Sequence, residues 1–244
     1  MKDHIWYNPD TVLTGKCPDA MILRTVTLTF DSTCPVHGSA PELREFFAIK
    51  FAEYSELHRQ EAGSFIHRYP VVQCKMIRNF PTVIGINEGG LFLKEFAEET
   101  REINLGPDTY RVAEHDISLR DEEFGISETI QSYEFATPWL ALTQENYKRF
   151  YKLTGKPARD EFVQKIFVET LLSLSKSLGY EVPAPISVDT NFHFQKDRLN
   201  GASVMTFTGK FQANFQIPEY LGIGKSVSQG YGAVRKIFRE IRKI

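Results

Sequence analysis

The chain has 244 residues, of which 42% are hydrophobic, 13% aromatic and 25% charged. This globular composition excludes a disordered tail, a collagen-like chain and a disulfide miniprotein. Lys and Arg number 29 against 31 Asp and Glu, a formal charge of −2, so no global basic field marks a polyanion partner. The charge is unevenly spread, however. Residues 95 to 123 set ten acids against three arginines, whereas residues 225 to 244 hold six Lys and Arg against Glu240 alone. That basic end leaves a polyanion partner open. Three scattered cysteines, Cys17, Cys34 and Cys74, predict reduced thiols and neither a disulfide framework nor a zinc site. The MKDHIWYNPD start lacks a signal pattern and no apolar run approaches a membrane span, so the expectation is a soluble cytoplasmic protein with no membrane partner.

Along the chain, Leu23, Val26, Leu28 and Phe30 alternate with polar residues and predict a strand over 22–30. Ser39, Ala40 and Pro41 open a helix with apolar Leu43, Phe46, Phe47, Ile49 and Phe51. Strands are predicted at 69–77 and 81–86, separated by Arg78-Asn79. A second helix is predicted over 88–103, burying Leu91, Leu93, Phe96 and Ile103, followed by a strand at 110–119. Strand, helix, strand, strand, helix, strand is the ferredoxin-like order. The acidic, Gly-containing stretch from Asp121 to Gly125 reads as a boundary. Beyond it come a strand near 129–136, helices at 143–154 and 159–178, and long strands at 187–196 and 201–217. A glycine-rich loop and a short element from 233 close the chain. The fold class expected is α+β, two tandem ferredoxin-like domains, residues 1–123 and 124–244, the second less regular.

The glycine-rich segment runs from Leu221 to Val234. Gly222, Gly224, Gly230 and Gly232 permit positive φ and close backbone approach, so main-chain N–H groups could face a phosphate. Lys225 adds charge, Ser226 and Ser228 add hydroxyls, and Tyr231 offers a stacking face. The spacing is neither a dinucleotide fingerprint nor a P-loop, and by itself it also suits an ordinary turn. Its place after the strand ending FTGKFQANFQIPEY, near the chain's end, resembles the C-terminal signature of the CRISPR-associated RAMP proteins, in particular the pre-crRNA-processing endoribonuclease. The stretch Ser132 to Leu142, Asn146-Tyr147 and Leu172 to Lys176 also look like that family's C-terminal half. Leu57-His58, His67-Arg68-Tyr69-Pro70-Val71-Val72-Gln73-Cys74-Lys75 and Ile84 to Gly89 look like its N-terminal half. Gln60 stands where the subgroup often has a second histidine, and Cys74 replaces a common tyrosine.

The resemblance implies metal-independent cleavage of CRISPR repeat RNA, in which a ribose 2′-OH attacks the adjacent phosphate, with no cofactor and no metal. The products would be a 2′,3′-cyclic phosphate and a 5′-OH. Such chemistry needs a base, an acid and a cation near the phosphorane, and an imidazole serves either proton-transfer role near neutral pH. His58 stands at the family's catalytic position, although a histidine near a helix C-terminus also suits the helix dipole. Tyr54, one turn earlier, shares its face or simply packs in the core. Lys75 is expected to stabilise transition-state charge or to be an exposed strand lysine. His37, ahead of the first helix, is the rival catalytic histidine. His67 and Arg68 are expected on the RNA backbone, and Arg235 and Lys236 extend the loop's phosphate-binding surface. Phe192, Phe194, Phe207, Phe211 and Phe215 either stack bases or fill the core. The implied partners are repeat RNA and subunits of a CRISPR effector complex, the chain being a monomer or homodimer. The alternative is a catalytically silent RNA-binding subunit of such a complex.

Overall fold

The computed structural model describes residues 20–58, 70–199 and 201–238, with the backbone alone for 51–58. Strand β1 (Met21–Ser32) leads to helix α1 (Ala40–His58). That helix opens on a capping box. The Ser39 hydroxyl and backbone N–H both donate to Glu42 Oε2 at 2.7 Å, and the Glu42 N–H returns a bond to Ser39 Oγ, so two otherwise unpaired ends satisfy each other. Strands β2 (Val72–Ile77) and β3 (Phe80–Ile86) form a hairpin through Arg78 and Asn79, both at positive φ. This is the two-residue turn geometry that matches strand twist.

Helix α2 (Glu88–Glu99) buries Phe92, Leu93, Phe96 and Ala97. It stops at Thr100, whose backbone is extended and whose N–H caps Phe96 O. Residues beyond it turn back as β4 (Glu102–Leu105), paired with the start of β5 (Asp108–Phe135). The helix expected over 88–103 is thus a shorter helix and a strand. Ile103 is buried as expected, but from β4, while Leu91 is 68% exposed.

Strand β5 differs most from expectation. In place of separate strands at 110–119 and near 129–136, one 28-residue strand runs through Asp121–Gly125. Its first part pairs with β1 and its last part with β7 and β8. The acidic residues there lie on the strand and find cross-strand partners: Arg24 Nε meets Asp121 Oδ1 at 3.2 Å and Thr25 Oγ1 donates to Glu122 Oε2 at 2.5 Å.

Helices α3 (Gln144–Lys152) and α4 (Lys156–Leu178) follow. Thr143 Oγ1 caps the first by accepting from Asn146 N, and Gly179, left-handed at φ 80°, ends the second. A long hairpin, β6 (Val188–Leu199) and β7 (Ala202–Gln216), and the short β8 (Val234–Lys236) complete the chain. The sheet order is β2-β3-β1-β5-β7-β6, with β4 and β8 also on β5. The first half reads β2-β3-β1-β5 and the second β6-β7-β5-β8, the ferredoxin-like order in both. In the second half the glycine-rich segment stands where the second helix would be, between β7 and β8.

Each half has its own apolar core. Val26, Leu28, Phe46, Phe47, Phe92 and Phe96 fill the first, with Phe47 and Phe96 ring centroids 4.6 Å apart. Tyr133, Phe135, Trp139, Phe167, Phe207 and Phe211 dominate the second. Phe207, Phe211 and Phe215 are therefore core residues, whereas Phe194 is 52% exposed.

Candidate RNA-binding loop and its seating

Between Tyr220 and Val234 the chain doubles back on itself. Tyr220 N donates to Val234 O, Val234 N to Leu221 O and Ile223 N to Gly232 O. The loop is tied to the second half by Lys225 N to Leu140 O, Gly232 N to Pro138 O and Ala233 N to Thr137 Oγ1. It is tied equally to the first half. Cys74 forms a parallel bridge with Gln229, and Gly222 N donates to Gln73 Oε1 at 2.9 Å. Gly230 lies against Ala40 at the start of α1, where an added Cβ would come within 2.5 Å of the alanine methyl. The loop occupies the seam between the halves.

Lys75 is the centre of this seating. Its side chain is completely buried, and Nζ donates to Val227 O at 2.7 Å and Tyr231 O at 2.8 Å. It is neither an exposed strand lysine nor open to a bound phosphate; its ammonium is spent on loop carbonyls. Burial lowers its pKa from 10.5 to about 7, partly offset by Cys74. Burial likewise pushes the Cys74 thiol up to about 12. Gln73, also fully buried, bridges the loop and Pro70 O. Gln73 is a site residue beyond those expected from the sequence. A polar pair at alternate positions of an otherwise apolar strand, Gln73 and Lys75, was the available signal.

The glycines serve packing more than phosphate. A Cβ on Gly222 would lie 2.6 Å from Gln73 Oε1 and 2.8 Å from Lys75 Nζ, one on Gly224 would strike the Trp139 indole, and one on Gly232 would strike Ile223 O. Gly224, Gly230 and Gly232 all have positive φ. The N–H groups of Gly222, Gly230 and Gly232 are already bonded within the protein. The N–H groups of Gly224, Ser226, Val227 and Ser228 donate to no acceptor among the described residues. Ser226 is itself at φ 53°, and Lys225 beside it is exposed, with its pKa lowered by partial burial. Unpaired amides next to a cation form an anion-receptive edge.

Other expected members are differently employed. Tyr231 is only 9% exposed and its hydroxyl bonds to Arg198 O, so its ring is not an open stacking face. Burial and the neighbouring Asp197 push its pKa up to about 12. Arg235 is ion-paired with Glu134, and Lys236 Nζ donates to Gln216 Oε1 at 3.2 Å. Among the loop's expected cations, Lys225 is the one exposed to solvent.

Tyr54 and His58 fall in the last part of α1, while His67 and Arg68 lie outside the described residues. Helix α1 has 19 residues, so His58 stands roughly 27 Å along the helix from Ala40, at 1.5 Å per residue. Gly230 meets the other end. His37 is exposed just ahead of α1, its backbone N–H donating to the Tyr110 hydroxyl at 3.3 Å. The structure thus sets His37, and not His58, at the loop's end of the helix. Among the described residues no three His, Cys, Asp or Glu side chains gather to hold a metal ion, and no helix is long and apolar enough to cross a membrane.

The same two-part arrangement recurs in known proteins. The family model of the Cas6b N-terminal domain matches residues 21–123 and that of the Cas6b C-terminal domain residues 125–237. A crystal structure of Cas6b superposes with a TM-score of 0.77 at 30% identity, covering 89% of this chain and 100% of that one. The chain belongs to the Cas6b family. A second Cas6b crystal structure, of a CRISPR RNA processing endoribonuclease, gives a TM-score of 0.72 at 29% identity over the same shares of the two chains. An uncharacterized protein of Methanocaldococcus jannaschii is 37% identical over 138 residues, 56% of this chain and 93% of that one. Membership of Cas6b agrees with the tandem ferredoxin-like order of the strands.

Proposed function

We propose that this protein is a metal-independent endoribonuclease that cuts CRISPR repeat RNA. The observation that carries the reading is the seated glycine loop: a turn whose unpaired amides at Gly224, Ser226 and Ser228 adjoin exposed Lys225. An RNA phosphate suits that edge. Likeness to a CRISPR RNA processing endoribonuclease at 29% identity supports the same substrate. In the reaction a ribose 2′-oxygen bonds to phosphorus as the P–O5′ bond breaks. The 2′-OH proton passes to a base, and the departing 5′-oxygen takes a proton from an acid. The products are a 2′,3′-cyclic phosphate and a 5′-OH.

His58 is assigned the principal proton transfer, with Tyr54 one turn away on the same helix and His67 and Arg68 on the RNA backbone. RNA held at the loop would follow α1 toward His58. Lys75 acts through the loop that it holds. Repeat RNA is the partner, and the processed RNA connects the protein to a CRISPR effector complex. Incubating labelled repeat RNA with the protein in excess EDTA tests the reading. Cleavage with cyclic-phosphate ends is expected. Cleavage that vanishes in EDTA and returns with magnesium would overturn the mechanism. Tight binding without any cut would assign the chain to a silent RNA-binding subunit.

A further inference from the structure

The β6–β7 ladder outlasts the helix that covers it. Thr190, Phe192 and Phe194 pair with Phe211, Gly209 and Phe207 along one face. Helix α4 packs on this face as far as Phe192, whose ring lies 5.5 Å from Phe167. It begins at Lys156, and its first two turns, through Val163, line a gap beside Phe194 and Phe207 and do not fill it. Phe150 of α3 closes the far side, 5.6 Å from the Phe194 ring and 6.1 Å from Phe207. The gap is a cavity of about 300 Å³ lined by Phe150, Phe194 and Phe207 together with Lys156, Arg159 and Asp160. That volume is at the lower end of the roughly 300–1,000 Å³ of small-ligand pockets.

We infer that this cavity takes one unpaired nucleobase of the bound RNA, stacked on Phe194, with an adjoining phosphate at Arg159. The inference rests on the RNA-binding reading above. Three features favour a base over a purely apolar occupant. Phe194 is 52% exposed although it joins an aromatic cluster, which leaves a ring face open to a flat partner. Of the charged residues lining the cavity, Lys156 is paired with Asp160 at 2.5 Å, which leaves Arg159 as the cation without an acid among the described residues; its Nε donates to Leu153 O and its guanidinium lies over the Phe150 ring at 5.3 Å. The cavity is also close to the loop. Gly224 abuts the Trp139 indole, and that indole lies tilted within 5.7 Å of Phe192 and Phe207. The loop also meets β6 itself, through the Tyr231 hydroxyl on Arg198 O, roughly 13 Å along the strand from Phe194 at about 3.3 Å per residue, within reach of neighbouring nucleotides on one strand.

The test measures binding of fluorescein-labelled twelve-nucleotide oligoadenylate, and of the same strand with abasic riboses in place of its bases. Phe194→Ala removes a half-exposed ring from the edge of the aromatic cluster, and the abasic strand controls for any change in packing. It should weaken oligoadenylate about tenfold, in line with stacking by one base, and leave abasic RNA unaffected. Lys225→Ala should weaken both strands alike. Unchanged oligoadenylate affinity in Phe194→Ala, or equal losses for both strands, would overturn the nucleobase pocket, while a Lys225→Ala loss would keep the loop reading standing. No effect of Lys225→Ala on either strand would instead remove the loop reading, and with it this one. Thermal stabilisation by adenosine monophosphate that Phe194→Ala abolishes, with oligoadenylate affinity unchanged, would give the pocket to a free nucleotide and overturn its assignment to RNA.

Discussion

Lys75 and Val227, 152 residues apart in sequence, are joined by a buried 2.7 Å hydrogen bond from the lysine ammonium to the loop carbonyl. With the second bond to Tyr231 O, this lysine fixes the glycine loop to the other half of the molecule. Lys75→Met keeps the volume but strands two buried carbonyls. An unsatisfied buried acceptor costs about 1–3 kcal/mol, so denaturant unfolding should show a loss of that order or somewhat more. RNA affinity should fall with it, because the free amides lose their support. Unchanged stability would show that the loop holds its place without the clamp.

The same lysine gives stability a pH dependence of definite sign. Its folded pKa is lowered to about 7 against 10.5 for the free side chain. Between those values the unfolded chain binds the extra proton, so stability rises with pH; below pH 7 the cost of the buried charge is fully present. Cys74, raised to about 12 from 9.0, acts oppositely above pH 9. Unfolding free energy should therefore climb from pH 7 to 9 in the native protein. Lys75→Met should show a flatter profile, and parallel profiles for the two proteins would refute the assignment.

Lys225 and Arg235 are both basic but should behave differently. Lys225→Ala removes an exposed charge beside unpaired amides, so RNA affinity should drop and the log–log salt slope should shrink by about one. Arg235 is already neutralised by Glu134. Arg235→Ala should leave the salt slope almost unchanged and appear in thermal unfolding instead. A larger slope change for Arg235→Ala than for Lys225→Ala would reverse the two roles.

The histidines are separated by single-turnover cleavage of repeat RNA. General acid–base catalysis contributes roughly a hundred- to ten-thousandfold. His58→Ala should slow the cut by about that much with little change in affinity, since the loss belongs to the transition state. His37→Ala should have a much smaller effect. If His37→Ala abolishes cleavage and His58→Ala cuts normally, catalysis belongs at the loop's end of α1.

Much of the architecture could be read from alternation and capping residues. Leu23, Leu28 and Phe30 mark β1, and Ser39 with Glu42 marks the start of α1. The errors came where local pattern and tertiary pairing disagree. Ile103 continues helical spacing from Phe96, yet Thr100 turns the backbone out of α2 and pairing with β5 makes the next residues a strand. Asp121 and Glu122 give no sign in sequence that a single strand runs through them; that depends on Arg24 and Thr25 across the ladder, which give them partners. In the site, the glycines announced a tight loop. What they pack against did not show, because Gln73 and Lys75 stand about 150 positions earlier and their burial depends on the assembled halves.

The unbroken β5 has a mechanical consequence. Gly125 is at φ 131° and the register with β7 shifts between Ile126 and Gln131, yet no loop parts the two sets of partners along the strand. Swinging one half outward would strip β1 from one end of that strand or β7 from the other, in addition to pulling the glycine loop off β2. The opening between the halves is thus set when the chain folds. Differences in RNA shape have to be accommodated by side chains and by the RNA itself, and bound and free protein should share one small-angle scattering radius once the RNA contribution is matched out.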